Sequence, residues 1–225
     1  VAHMNEDHAE AVRLYATAIG LYEARLNGVK VGDDLLTPGW THYFKHIQYQ
    51  VYDVTSLLRP GPNAIGAVLG DGWGVGHIAW LGRQHYADRP QFLAHLIVTY
   101  ADGSSEIIAT GPQWKVTQGP ILESDMLMGE SYDARRELPG WDQPGYVATH
   151  WWPVEVFADN DAALVATNGP LVKHQESIRP VQITPVPKML KPRWIFDMGQ
   201  NMVGWVRLVV QGEKGSTITL RFAEV

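Results

Sequence analysis

The chain has 225 residues, 45% apolar and 19% charged, with 22 Gly and 14 Pro, which suits one large or two small globular domains with ample length for a packed core. A formal net charge of −6 with no basic cluster argues against nucleic acid or an anionic membrane as partner, because both need a concentrated basic face. The total lack of Cys excludes disulfides, zinc thiolate sites and a cysteine nucleophile, and no stretch nears the roughly 18 consecutive apolar residues of a membrane span.

In chain order, the N-terminus shows no charged region followed by an apolar one and a cleavage site, and the compartment, cytoplasm or secretion, stays open. Val1-Ala2-His3-Met4 looks like a cloning scar, and residues 1–11 are read as a tag remnant or disordered lead. Asp7 to Ile19 could form an amphipathic helix, but Tyr15, Thr17 and Ile19 favour a strand from Arg13 onward. From Leu21 to Leu26, Tyr22, Ala24 and Leu26 share one face and Glu23 and Arg25 the other, before the hairpin turn Asn27-Gly28. Thr55 is placed to cap a single turn through Leu58, which Arg59-Pro60-Gly61 stops. Gln91 to Tyr100 has apolar residues on both faces, as expected of a central strand, and Ala101-Asp102-Gly103 turns it into Ser105 to Ala109. After Trp151-Trp152-Pro153-Val154 the chain becomes irregular, with five prolines between Asn168 and Pro192. Strand patterning resumes at Trp194, and Trp205 to Val210 with Ser216 to Phe222 reads as a further hairpin. Short strands with Gly/Pro turns at this spacing predict an all-β fold. The expectation is a sandwich over 12–157, a Pro-rich linker over 158–192, and from 193 the first strands of a second, truncated sandwich.

Candidate chemistry is sparse. A glycosidase needs two carboxyl groups across the scissile bond, roughly 5 to 10 Å apart. Glu123, Asp125, Glu130, Asp133 and Glu137 are the candidates, but their spacing equally suits salt bridges to Arg135 and Arg136. His42 and His46 are four apart, a spacing that chelates on a helix and spans about 13 Å on an extended segment. Gly70-Asp71-Gly72-Trp73-Gly74-Val75-Gly76 lacks the spacing of a phosphate loop and reads as a bulge or sharp bend. The segment it opens carries Asp71, Trp73, His77, Trp80, Arg83, His85, Tyr86 and Asp88 on a long loop. Flat rings with a few bidentate polar groups are what a sugar site requires. A loop pinned by its own aromatics, with Arg83 paired to Asp71 or Asp88, is the plainer alternative.

Several stretches carry a family resemblance. Leu21 to Gly28, then Asp53 to Leu58 with Arg59-Pro60-Gly61-Pro62-Asn63-Ala64, resemble the galactose-binding-like jelly rolls attached to many glycosidases. Leu36-Thr37-Pro38-Gly39-Trp40-Thr41, Gly70-Asp71-Gly72-Trp73, Gly129-Glu130-Ser131-Tyr132-Asp133-Ala134-Arg135 and Leu138-Pro139-Gly140-Trp141, in that order, resemble the N-terminal domain of bacterial α-L-rhamnosidases of glycoside hydrolase family 78. Phe196 to Val206 is similar to the opening of the concanavalin-like sandwich that follows it. The resemblance implies a jelly-roll sandwich from a parent that hydrolyses terminal α-L-rhamnosides with inversion, the acid and base lying in a separate (α/α)₆ catalytic domain.

It also implies two partners, rhamnose-containing glycans and that catalytic domain. Some relatives bind rhamnose with calcium on a sandwich of this type, through an acidic or Asn-rich loop. Trp80-Leu81-Gly82-Arg83-Gln84-His85 lacks that character, so no cofactor or metal is expected. Three functions follow: a non-catalytic supporting portion, inactive alone; an autonomous carbohydrate-binding module using Asp71, Trp73, Trp80, Arg83, His85 and Asp88; or a complete enzyme using Glu123, Asp125 or Glu130.

Overall fold

The computed structural model describes residues 2–3, 9–157, 161–187 and 191–223. Parts of the expected lead, linker and second sandwich (1, 4–8, 158–160, 188–190 and 224–225) lie outside the described residues. The chain divides into two units, Val1–His174 and Gln175–Val225.

The first unit is an all-β sandwich. Its larger sheet has five strands in the order Ser105–Ala109, Gln91–Tyr100, Ala9–Ile19, His46–Asp53 and Ala163–Ala166. All neighbours are antiparallel except the last pair. Facing it is a sheet of three strands, Val29–Lys30, Leu21–Leu26 and Ile65–Gly70. Alternation decides which side chains meet between them. Val12, Leu14, Ala16 and Ala18 point in from Ala9–Ile19, Ala94, Leu96 and Val98 from Gln91–Tyr100, and Tyr22, Ala24 and Leu26 from the smaller sheet. Leu14, Leu26 and Leu96 are each 1% exposed, and burial of such a side chain contributes about 1.5–3 kcal/mol. Gly20 alone carries the chain from one sheet to the other. Its φ of +113° suits glycine, and a Cβ there would stand 2.6 Å from the Gly70 carbonyl oxygen.

The hairpin turn at Asn27-Gly28 forms as its sequence predicts, with φ of 53° and 83°. The Asn27 side chain then ties it to the second stretch of the jelly-roll pattern. Its Nδ2 donates to the Leu57 carbonyl (2.9 Å) and to Asn63 Oδ1 (2.5 Å), and its Oδ1 accepts from the Ala64 amide (2.9 Å). Asn63 in turn accepts from the Arg59 amide and donates to the Arg59 and Gly61 carbonyls. Both amides are buried and satisfied, the condition under which buried polar groups are tolerated.

Four local expectations differ from what forms. The first strand begins at Ala9, within the stretch read as a lead, and Ala2–His3 pairs with Pro62–Asn63. Thr55 opens the predicted turn as a 3₁₀ segment, Thr55–Leu57, without capping it. Its hydroxyl accepts from the Val12 amide and donates to Asp53. Gln91–Tyr100 is buried on one face only, and Leu93 and His95 on the other are exposed. Its apolar outer residues suit strand structure without being covered in this chain. Finally, Ala163–Ala166 and Val172–Lys173, inside the stretch read as linker, pair with His46–Asp53 and with Asp34–Leu35.

In the second unit Gln182–Pro185 pairs antiparallel with Trp194–Asp197, and every residue of both strands is exposed. The hairpin expected over 205–222 is not formed, since no strand occurs among the described residues 201–223. Trp205 is 60% and Val209 85% exposed, and a lone two-stranded ribbon without a packed face is marginal.

Candidate functional site

The aromatic loop predicted as a candidate sugar site lies over one end of the larger sheet. There Ile19, Tyr43 and Ile47 form a second, small core on the sheet's outer face, with Trp73, Tyr86, Ala87 and Ala162 packed against it. The Gly-rich run makes this possible. It leaves the strand Ile65–Gly70 in a short helical turn, Gly72–Val75, that lies against Gly20. A Cβ on Gly74 would stand 2.3 Å from the Gly20 nitrogen and 2.8 Å from the Ile19 carbonyl carbon, so only glycine permits this backbone contact. Beyond a 3₁₀ turn, Ala79–Leu81, the loop folds back, the Gln84 amide donating to the Val75 carbonyl and the Ala87 amide to that of Gly74.

The six predicted residues do not converge on one point. Arg83 pairs with Asp71, which is the plainer alternative of the sequence reading. Trp73 is half-buried and stacks on Trp40 at 4.9 Å and 21°. His85 meets Tyr86 edge-on at 4.7 Å and lies 5.9 Å from Phe44. Trp80 is 94% exposed. Asp88 turns to Arg89, which also bonds Glu155 at 2.7 Å. The Asp88 carboxyl is thereby held below its usual range, the Arg89 side chain being the largest cause.

Sequence reasoning missed half of the aromatic shelf. Trp40 and Phe44, each 53% exposed, and His42 belong to it. The signal lies in Leu36-Thr37-Pro38-Gly39-Trp40-Thr41, one of the stretches that carry the family resemblance. The segment His42–His46 is also a turn and not extended, since the Lys45 and His46 amides both donate to the His42 carbonyl. The His42 ring faces Phe44 and Tyr86. Among the described residues no three His, Asp or Glu groups gather as metal ligands.

Three of the five acidic candidates, Asp125, Asp133 and Glu137, are engaged in local structure. Asp125 ends the strand Ile121–Asp125, paired with Gly129–Tyr132. One carboxylate oxygen accepts from the His77 amide and its Nδ1, both at 2.8 Å. The other accepts from the Leu127 and Met128 amides. Burial pushes this carboxyl upward, but the His77 ring and three amides outweigh it and hold it well below the carboxylate range. Asp133 is bound by Arg135 through Nε, Nη2 and the backbone amide, and the Arg135 side chain brings it down to about 2. Glu137 accepts from the Tyr132 hydroxyl at 2.7 Å.

A two-sheet sandwich carrying a surface shelf of rings defines the class of the first unit as an all-β sandwich. Comparison with known proteins gives the family. Residues 7–176 match the α-L-rhamnosidase N-terminal domain, and residues 188–225 match the bacterial α-L-rhamnosidase concanavalin-like domain. The chain belongs to the α-L-rhamnosidase N-terminal domain family. It is 48% identical over 219 residues to an α-L-rhamnosidase of Streptomyces avermitilis, covering 95% of this chain and 20% of that protein. An α-L-rhamnosidase of Alteromonas is 39% identical, with 94% and 23% covered. Among solved structures, the Streptomyces avermitilis enzyme complexed with L-rhamnose superposes with a TM-score of 0.82 at 44% identity, over 89% of this chain and 19% of that one. The Aspergillus terreus enzyme gives 0.82 at 40% identity, over 88% and 23%. The chain therefore spans about a fifth of the length of the relatives it matches.

Proposed function

We propose that this chain is a supporting β-sandwich portion of an enzyme that hydrolyses terminal α-L-rhamnosides with inversion, acting on rhamnose-containing glycans. The observation that carries this reading is coverage: nearly the whole chain aligns with relatives named α-L-rhamnosidase, yet with only a fifth of each. The partner is then the catalytic domain of the same enzyme. Leu127 and Met128 at a hairpin tip and Val51 and Ile107 on the open sheet face are large exposed side chains that such a partner would cover. Within this reading the first domain closes near His174, since Ala163–Ala166 and Val172–Lys173 pair with its strands.

A chromogenic α-L-rhamnoside decides the matter. The 225-residue chain alone should release no chromophore, and the full parent enzyme should release it readily. Clear turnover by the chain, lost in Glu130→Gln, would overturn the reading.

Glycan contact on the shelf is a second role, favoured by the Trp40–Trp73 stack and by the exposure of Trp80. Trp73, Trp80 and His85 would supply flat faces, with the Asp71–Arg83 pair and Asp88 as polar rim. Titration calorimetry with rhamnosylated oligosaccharides tests it. Heat that is unchanged by Trp73→Ala and Trp80→Ala would remove the shelf from consideration.

A further inference from the structure

The sequence holds two Asn-Gly pairs, Asn27-Gly28 and Asn168-Gly169, and the fold treats them oppositely. An Asn followed by Gly is open to attack by its own backbone. The nitrogen of the next residue reaches the side-chain carbonyl carbon, Cγ, and glycine has no Cβ to obstruct the approach. Three conditions decide whether a folded chain lets this happen: a carboxamide free to turn, an unhindered amide, and access for water and for the departing ammonia.

Asn27 meets none of them. Its carboxamide is fixed by hydrogen bonds to the Leu57 carbonyl, Asn63 Oδ1 and the Ala64 amide, and the residue is 1% exposed. Gly28 lies under Gln143, whose Nε2 would stand 1.8 Å from a Cβ there. Asn168 meets all three. It is exposed, as is Gly169, and neither the Asn168 carboxamide nor the Gly169 amide has a hydrogen-bond partner among the described residues. A Cβ on Gly169 would meet nothing within 4 Å, so the space around this residue is open. The flanks are held. Thr167 donates its amide and its hydroxyl to the Tyr49 carbonyl, each at 3.1 Å, and Val172 pairs with Leu35.

We propose that Asn168 is a self-modifying site, converting to aspartyl and isoaspartyl forms while the chain stays folded. The Gly169 nitrogen bonds to Asn168 Cγ, the Cγ–Nδ2 bond breaks, and the proton from the Gly169 nitrogen leaves with the side-chain nitrogen as ammonia. The resulting five-membered succinimide takes up one water. Opening at Cγ gives the aspartyl form. Opening at the main-chain carbonyl gives the isoaspartyl form, whose backbone runs through Cβ and Cγ and is longer by one carbon. Nothing is oxidised or reduced, and either product carries one further negative charge. The change falls on the link between Ala163–Ala166, at the edge of the larger sheet, and Val172–Lys173. It does not depend on the function proposed above.

Ageing the folded 225-residue chain in warm, mildly alkaline buffer made with heavy-oxygen water, then digesting it for peptide mass spectrometry, tests this. The peptide holding residue 168 should split into two isomers that have exchanged NH for labelled oxygen, the isoaspartyl form in excess. The peptide holding Asn27 should be unchanged. In urea, where the fold no longer protects it, Asn27 should react at a rate comparable with that of Asn168. Gly169→Ala, which the open space accommodates, should slow the loss at residue 168 about tenfold. Three results would overturn the inference: Asn168 intact in the folded chain after a time in which the unfolded chain loses it, equal loss at Asn27 and Asn168 in the folded chain, or loss that yields only the aspartyl form and is unchanged by Gly169→Ala, the mark of direct hydrolysis.

Discussion

Replacing the buried turn residue Asn27 should strongly destabilise the first unit. In Asn27→Ala the Leu57 carbonyl and the Ala64 amide lose the partners they have at 2.9 Å, and Asn63 Oδ1 loses one of its donors. Asn27 is 1% exposed, so water cannot easily replace the missing groups. Each orphaned buried group costs about 1–3 kcal/mol. Holding Ala at the φ of 53° adds about 1–2 kcal/mol, a cost that Asn largely escapes. The sum is about 3–8 kcal/mol, a large share of the 5–15 kcal/mol typical of a domain. Asn27→Gly separates the parts, because it removes the hydrogen bonds while relieving the backbone. It should recover about 1–2 kcal/mol relative to Ala. Urea unfolding followed by tryptophan fluorescence measures both. A loss below about 1 kcal/mol in Asn27→Ala, or identical midpoints for the Ala and Gly variants, would refute the account.

The other outcomes are simpler. Gly74→Ala should cost about 1–3 kcal/mol or more, because its Cβ meets backbone and not a movable side chain; thermal melting reads this directly. Trp80→Ala should leave the melting temperature nearly unchanged, within about 0.5 kcal/mol, whereas Trp73→Ala should lose about 2 kcal/mol, less than the 3–5 of a fully buried aromatic. Asp125 is held low in the folded state, so its contribution to stability is complete above the ordinary carboxylate pKa and lost as pH falls through the folded value. The stability gap between wild type and Asp125→Asn should therefore be full at neutral pH and close below about pH 4; a gap constant from neutral to strongly acidic pH would contradict this.

How far the sequence could be read depended on how local the signal was. The alternation in Leu21–Leu26 and the Asn27-Gly28 turn predict their own structure because pleat and turn geometry are set within a few residues. The membership of Ala163–Ala166 in the larger sheet could not be read. That strand pairs in parallel with His46–Asp53, more than a hundred residues earlier, and its own residues carry no alternation. The site was half legible for the same reason. Trp73 and His85 announced themselves on one loop, but Trp40 and Phe44 reach the shelf from another, through contacts that only the fold defines. The hairpin expected over 205–222 shows the opposite failure: correct periodicity without a packed face to stabilise it.

The stretches that carry the family resemblance turn out to be joints more than reagents. Asn27 and Asn63 lock two of them together. Gly72 and Gly74 let a third lie against the crossing at Gly20. Tyr132 and Asp133 bind Glu137 and Arg135 within a few residues of themselves. Trp141 packs so closely on Gly66 that a Cβ there would stand 2.6 Å from its ring. Beside it, buried Asp142 accepts from Arg25 Nε across 117 residues of sequence. Removing one partner of such a largely buried pair costs about 3–5 kcal/mol. A segment selected for turnover concentrates unusual groups around an open cleft. Here the recurring residues fasten one strand connection to another, and the exposed rings stay at the rim. That distribution agrees with the supporting role proposed for this sandwich.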